Sequence, residues 1–249
     1  MAGDVTWLRA GLQSALRLAF PPRCVSCGAA VSEDFGLCGP CWRDTPFAAG
    51  LVCDLCGVPL PGQDAGRPEH CDDCLAIARP WGRGRAALVY RDTARALVLS
   101  LKHGDRLDLV RPAAGWLYAA ARPILKPGMI AAPVPLCRAR LLMRKFNQSA
   151  ELARGLARLA RIEVCPDLLV RVRNTGSQDG LSREARFANL DRAIRVHPRR
   201  KDRVRGRHVL IVDDVMTSGA TFAAAAEACL AAGAGLVSVV ALARVSKDA

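Results

Sequence analysis

Two adjacent acids, Asp213 and Asp214, follow an unbroken apolar run, Val209-Leu210-Ile211-Val212. Carboxylates accept hydrogen bonds only, so a neighbouring pair suits a vicinal diol. Just beyond them, Thr217-Ser218-Gly219-Ala220-Thr221 offers hydroxyls and small side chains, which let backbone N–H groups crowd around an anion. A sugar diol carrying a phosphate would satisfy both halves. The elements needed to present these groups are legible on either side. Four β-favouring residues without alternation fit a strand buried on both faces of a parallel sheet, whose carboxyl end is where ligands bind. The Ala-rich stretch Phe222 to Ala232 reads as a helix whose N-terminal dipole favours the anion. No GxxxxGK is present, which excludes a Walker-type nucleotide loop.

A second chemistry sits at the other end. Eight of the 11 cysteines form four CxxC pairs, Cys24/Cys27, Cys38/Cys41, Cys53/Cys56 and Cys71/Cys74. Two thiolates spaced this way reach one tetrahedral zinc from a single knuckle, and two knuckles close the site. The order predicts a duplicated zinc ribbon holding two structural zinc ions, with sequential pairing; pairing of the first knuckle with the third is the alternative that spacing leaves open. Gly28 and Gly57 follow their knuckles where the chain must turn sharply. Closed four-Cys sites keep no open coordination position, so this zinc is scaffolding. Cys137, Cys165 and Cys229 are scattered and read as small apolar fillers.

Charge divides along the same line. Residues 1–80 carry 6 Lys and Arg against 9 Asp and Glu, whereas residues 81–249 carry 30 against 14, so the positive excess of the chain belongs to the second part. Such a surface attracts polyanions, and a pocket for a diphosphate needs the same residues. In the first 20 residues Arg9 and Arg17 interrupt the apolar pattern, which argues against a signal peptide and for a short amphipathic helix. No apolar run is long enough to span a bilayer. CxxC pairs without an export signal point to metal in a reducing cytoplasm, with a peripheral position at the inner membrane as the alternative the first helix allows. The expected domains are therefore 1–20, an amphipathic helix; 21–80, a double zinc ribbon; and 81–249, a basic α/β domain.

Within that domain, Ala86–Tyr90, Met129–Leu136, Leu168–Val172 and Leu236–Ala243 read as strands beside the acid-bearing one. Thr93–Leu101 and Ala150–Ala160 read as helices. Arg138, Arg140, Arg144 and Lys145 fall between a strand's carboxyl end and a helix, where a diphosphate would be gripped. Arg173 to Arg207 shows no clear buried pattern and is expected to be an irregular lid, with Gln178, Arg183 and Arg186 as candidates to act on the reaction. The basic run Arg199 to Arg207 is either a DNA groove or a solvated loop.

The acid pair and its loop resemble the phosphoribosyl-pyrophosphate (PRPP) signature of type I phosphoribosyltransferases. Four CxxC pairs, Leu101-Lys102-His103-Gly104, Pro133-Val134-Pro135-Leu136, Arg144-Lys145-Phe146-Asn147-Gln148, Gln178-x-x-Leu181-Ser182 and the signature, in that order, resemble the ComF family of competence-related proteins. The resemblance implies an α/β fold, a doubly wound parallel sheet of the type I phosphoribosyltransferase kind behind a small N-terminal zinc-ribbon domain. It implies PRPP with magnesium as ligand: Asp213 and Asp214 on the ribose, Met216, Thr217, Ser218, Gly219, Ala220 and Thr221 around the 5-phosphate, and the Arg138 to Lys145 cations on the diphosphate. It further implies pentosyl transfer as the enzyme chemistry and a link to uptake of single-stranded DNA in natural transformation, with other competence proteins as partners. The family commonly has Gly where this chain has Lys145, which bears on the diphosphate grip. Two rival expectations keep the fold: a non-catalytic single-stranded DNA-binding accessory protein, and a phosphoribosyl-ligand sensor.

Overall fold

The computed structural model describes residues 20–103, 106–137, 141–142, 146–173, 183–190 and 192–246. The first amphipathic helix apart from Phe20, together with Arg138, Arg140, Arg144, Lys145 and Gln178, lies outside the described residues. The chain divides into two compact units, residues 1–45 and 46–249. The division falls inside the double ribbon, between its second and third knuckles.

The first unit carries the Cys24 and Cys38 knuckles, an isolated antiparallel bridge between Arg23 and Ala30, and a short helix α1 (Gly39–Asp44). Pro40 in its first turn removes an N–H that a helix start leaves unpaired in any case.

The second unit begins with the other ribbon, in which the bridge Val52↔Pro59 precedes helix α2 (Asp72–Ala76). This ribbon is joined to β1 (Arg83–Val89): the Gly84 N–H donates to Asp54 O at 2.7 Å, and Asp54 pairs with both Arg83 and Arg85. Gly57, at φ 72°, lies so close to the Ala86 N–H that a Cβ there would overlap β1's backbone. Cys53, Cys56, Cys74 and Trp81 consequently belong to the same buried cluster as the sheet.

After β1 come α3 (Asp92–His103), α4 (Val110–Ala121), β2 (Ile130–Pro133), α5 (Gln148–Ala160), β3 (Glu163–Val164), β4 (Leu169–Arg171), α6 (Arg183–Leu190), β5 (Ile194–Val196), β6 (His208–Met216), α7 (Ala220–Ala231) and β7 (Leu236–Arg244). Five strands form a parallel sheet in the order β1-β7-β6-β2-β3. Its middle strands are buried over most of their length because both faces are covered by helices, as the uninterrupted apolar runs require. Among the described residues, no helix is long and apolar enough to cross a membrane.

Three expectations change. Leu168–Val172 supplies β4, which leaves the main sheet and pairs antiparallel with β5; the sheet's outer strand is instead the two-residue β3, too short for any pattern to reveal. The stretch 173–207 is not wholly irregular, since α6, β5 and a 3₁₀ turn over Pro198–Arg203 occupy much of it. The first two are short and lean on α7, so each needs only two or three apolar residues, such as Phe187 and Leu190 on α6 or Ile194 and Val196 on β5. Finally, the basic run is no free loop, for three of its arginines are paired with acids. Arg200 forks onto Asp167, and Arg203 and Arg207 both reach Glu163, clamping β3 to the turn before β6.

Candidate functional site

Strand β6 is the pivot. The connection from β6 runs through α7 to β7 on one side, and that from β2 runs through α5 to β3 on the other. Neighbouring strands whose connections diverge leave a crevice at their carboxyl ends, the place where open α/β sheets bind ligands. The register sharpens this. Pairing of β2 with β6 stops at Pro133↔Val212, whereas β7 accompanies β6 to Met216↔Arg244. Asp213 and Asp214 therefore lie within a strand, one and two residues past the end of its neighbour, and not after the strand as the sequence suggested.

Both acids are buried and each has a partner from α5. Asn147 caps that helix by accepting the Ser149 N–H at 3.0 Å, while its amide donates to Val134 O. The cap fixes the next two side chains: Ser149 Oγ donates to Asp213 Oδ1 at 2.7 Å, and Gln148 Nε2 donates to Asp214 Oδ2 at 2.8 Å. Lys102, at the end of α3, places Nζ 3.2 Å from Asp214 Oδ1. Burial, and then the neighbouring Asp214 charge, push the Asp213 carboxyl up to about 7, against the Ser149 hydroxyl, the Asp214 N–H and Lys102. Gln148 Oε1 is buried with no hydrogen-bond partner among the described residues. An orphaned acceptor beside two carboxylates suits a hydroxyl donor or a hydrated divalent cation.

Past Met216 the chain turns through Thr217, Ser218 and Gly219 into α7. Met216 itself is a buried strand residue, so it contributes no loop surface. Gly219 has φ 84° and caps α7 without any side-chain hydrogen bond. Only the Ala220 N–H finds a side-chain acceptor nearby, a long 3.4 Å bond to Ser218 Oγ, and the dipole of this 12-residue helix favours an anion at its start. Two arginines hold the loop from behind. Arg79 Nη1 donates to Ser218 O at 2.9 Å, and Arg244 donates to Thr217 O at 2.6 Å and to Met216 O at 3.3 Å.

The four Cys pairs form two clusters, Cys24/Cys27/Cys38/Cys41 and Cys53/Cys56/Cys71/Cys74, with all sulfurs of each within 4.8 Å of one another. The Cys27–Cys38 and Cys56–Cys71 sulfurs are 3.6 Å apart, close to the edge of a tetrahedron with Zn–S of about 2.3 Å. Pairing is sequential, and the alternative with the third knuckle is excluded. Burial would raise the Cys24 thiol, but backbone N–H groups of Cys27, Cys38 and Ser26 outweigh it and hold it at about 6, the thiolate side that a metal requires.

Of the lid candidates, Arg186 lies on α6, whose packing partner is α7; Arg183 begins the same helix, and Gln178 is outside the described residues. Sequence reasoning did not single out Gln148, Ser149, Arg79 or Arg244 as site residues. The Phe146-Asn147-Gln148 motif was the available signal for the first two. Nothing local marks the arginines, whose partners are distant in sequence.

Comparison with known proteins accords with this geometry. A double zinc ribbon domain matches residues 15–75, and a phosphoribosyl transferase domain matches residues 147–249. The DNA utilization protein YhgH of Escherichia coli K12 is 31% identical over 215 residues, covering 84% of this chain and 91% of that protein. YhgH of Salmonella typhi is 32% identical over 234 residues, covering 91% and 99%. Competence protein F of Haemophilus influenzae is 30% identical over 205 residues, covering 80% and 86%. The chain belongs to the ComF family. Among solved structures, TT1426 from Thermus thermophilus overlaps 56% of this ComF chain and 85% of its own, at 18% identity and a TM-score of 0.34. Hypoxanthine-guanine phosphoribosyl transferase from L. donovani overlaps 59% and 71%, at 17% identity and a TM-score of 0.32. The ComF double ribbon thus has its two zinc sites in different compact units, with the second continuous with the phosphoribosyltransferase sheet.

Proposed function

We propose that this ComF chain binds PRPP with magnesium at the carboxyl ends of β2 and β6, in the service of DNA utilization, the role its relatives are named for. The observation that carries the reading is the pairing of a buried acid couple with a glycine-led helix start on one strand-loop-helix. Asp213 and Asp214 accept the ribose hydroxyls, exchanging the Ser149 and Gln148 hydrogen bonds for, or sharing them with, the sugar. Thr217, Ser218, Gly219, Ala220 and Thr221 surround the 5-phosphate. Lys102 offsets the charge of Asp214 next to an anionic ligand and opposes the rise of Asp213. Asp214 and Gln148 Oε1 supply hard oxygen donors to a hydrated magnesium ion, which neutralises the diphosphate. The Arg138, Arg140, Arg144 and Lys145 cations are assigned to that diphosphate from their place between β2 and α5. A cytoplasmic location fits this ligand and eight thiols gathered as two zinc sites.

A second reading, single-stranded DNA binding without a phosphoribosyl ligand, has the relatives' names and the 30 basic residues of positions 81–249 in its favour. Against it, Trp81 and Phe222 are buried in the core and so are not available to stack bases. Calorimetric titration of the zinc-loaded chain with PRPP and magnesium separates the two, with the Asp213→Asn/Asp214→Asn double variant alongside. Saturable heat from the parent alone supports the phosphoribosyl reading. No heat from a folded parent sinks it and leaves the DNA-binding reading.

A further inference from the structure

The second zinc ribbon reaches the anion loop by two separate routes, one from each cysteine knuckle. From the Cys53/Cys56 knuckle, Leu55 O accepts a hydrogen bond from the Trp81 indole at 2.6 Å. Trp81 packs against Phe222 in the first turn of α7, with ring centroids 6.3 Å apart, and carries the Arg79 guanidinium 5.4 Å from its own ring centroid. Arg79 in turn donates to Ser218 O and also interacts with the Cys74 side chain. The fit is close: a Cβ on Gly219 would meet Arg79 Nη1 at 2.8 Å and Trp81 Cη2 at 3.3 Å. From the Cys71/Cys74 knuckle, Asp73 pairs with Arg244 at 3.7 Å, and Arg244, itself only 3% exposed, donates to Thr217 O and Met216 O. Both knuckles therefore end on carbonyls of the same three residues, Met216, Thr217 and Ser218.

Two cations hold these carbonyls toward the ribbon, and in a trans peptide the N–H of the same plane points away from its carbonyl. Zinc would brace both arms. Four thiolates around one Zn²⁺ carry a net negative charge that favours Arg79, and closing the tetrahedron fixes Leu55 and Asp73 in the two knuckles.

We propose that Arg79 and Arg244 are positioning residues of the anion loop and that zinc at Cys53, Cys56, Cys71 and Cys74 sets the order of that loop. Reciprocally, an anion held by the loop tightens zinc at this centre, since coupling between two sites is mutual. The proposal rests on the phosphoribosyl reading only for the identity of the anion.

The test uses the full zinc-loaded chain, its metal content verified, with Arg79→Met, Asp73→Asn and, as a control, Arg83→Met. Arg83 also joins the ribbon, through Asp54, but has its other hydrogen bond at Pro123 O, away from the loop. Amide hydrogen exchange is read over residues 216–222, and zinc loss to a chromogenic chelator is followed with and without PRPP and magnesium. The expected result is roughly tenfold faster loop exchange in Arg79→Met and Asp73→Asn at full zinc content, parent-like exchange in Arg83→Met, and zinc loss slowed about tenfold by ligand in the parent only. Unchanged exchange in both arm variants overturns the proposal whatever the ligand does, and so does equal acceleration by Arg83→Met, which would mean general loosening of the ribbon. Faster exchange in the arm variants of a chain that takes up no PRPP upholds the arms and refutes the ligand assignment. Tight PRPP binding with no effect on zinc loss refutes the reciprocal coupling and leaves the ligand assignment standing.

Discussion

Replacing Asp213 by Asn should stabilise the chain at alkaline pH while abolishing its ligand binding. Burial and the Asp214 charge raise this carboxyl from 3.8 to about 7. A raised folded-state value means that the folded protein holds a proton the unfolded chain has released. The stabilisation is therefore complete below about pH 4, declines as pH rises, and is gone above about pH 7. Three units at about 1.4 kcal/mol each set an upper limit near 4 kcal/mol on this loss. Between pH 5 and pH 8.5 a little over half of it falls due in the parent and none in the Asn variant. Lys102 loses part of its attraction in the variant, and the Ser149 hydroxyl then meets a neutral acceptor, so a gap widening by about 1–2 kcal/mol is expected. For a chain of this size that is about 4 °C in Tm. Urea unfolding of both chains at pH 5 and pH 8.5, followed by far-UV circular dichroism, reads the gap directly, and any zinc loss at pH 5 is common to both. A gap that is constant or narrows with pH would show that Asp213 is ionised without penalty, and the account of the acid pair would fail. On the proposed function, PRPP affinity in the same variant falls at least about 100-fold.

Three further outcomes follow from the geometry. Gly219→Ala forces a side chain into φ 84° and against Arg79; it should lose about 1–2 kcal/mol of stability and about tenfold in PRPP affinity, read by thermal unfolding and calorimetry. Lys102→Met removes a cation that opposes the rise of Asp213, so the midpoint of PRPP binding against pH, read by calorimetry across a pH series, should move upward. Arg203→Met combined with Arg207→Met breaks part-exposed pairs to Glu163 and should lower stability by about 1 kcal/mol. The salt dependence of any single-stranded DNA affinity should stay as in the parent. A slope reduced by about one per residue would instead make these arginines phosphate contacts.

The site's acids were legible because a strand buried on both faces and ending in charge is costly unless the charge is used. The zinc ligands were legible because CxxC spacing is itself a coordination geometry. The remainder was set at long range. Gln148 and Ser149 follow an ordinary helix cap, and only the register of β2 against β6 brings that cap to the acids. Arg79 and Arg244 read as two more positive charges until the ribbon and loop meet around them. The helix α4 went unread because Ala, Gly and Pro dominate its first half, and its place is decided by packing on β1 and α5. The run Arg199 to Arg207 suggested a polyanion surface because sequence shows cations and hides their carboxylates, here Asp167 and Glu163, well before it in the chain.

The ribbon that leads the second unit docks on β1, and the sheet partner of β1 is β7, the last strand of the described chain. During synthesis the ribbon's docking surface therefore emerges early and waits, half-built, until the far end of the chain arrives. Pairings between segments so distant in sequence form slowly, and unpaired strand edges invite association in the interval. A metal that folds its knuckles locally gives the waiting segment a fixed shape without help from the sheet. Zinc supply would then govern how much of the newly made chain escapes aggregation, quite apart from what the finished site binds.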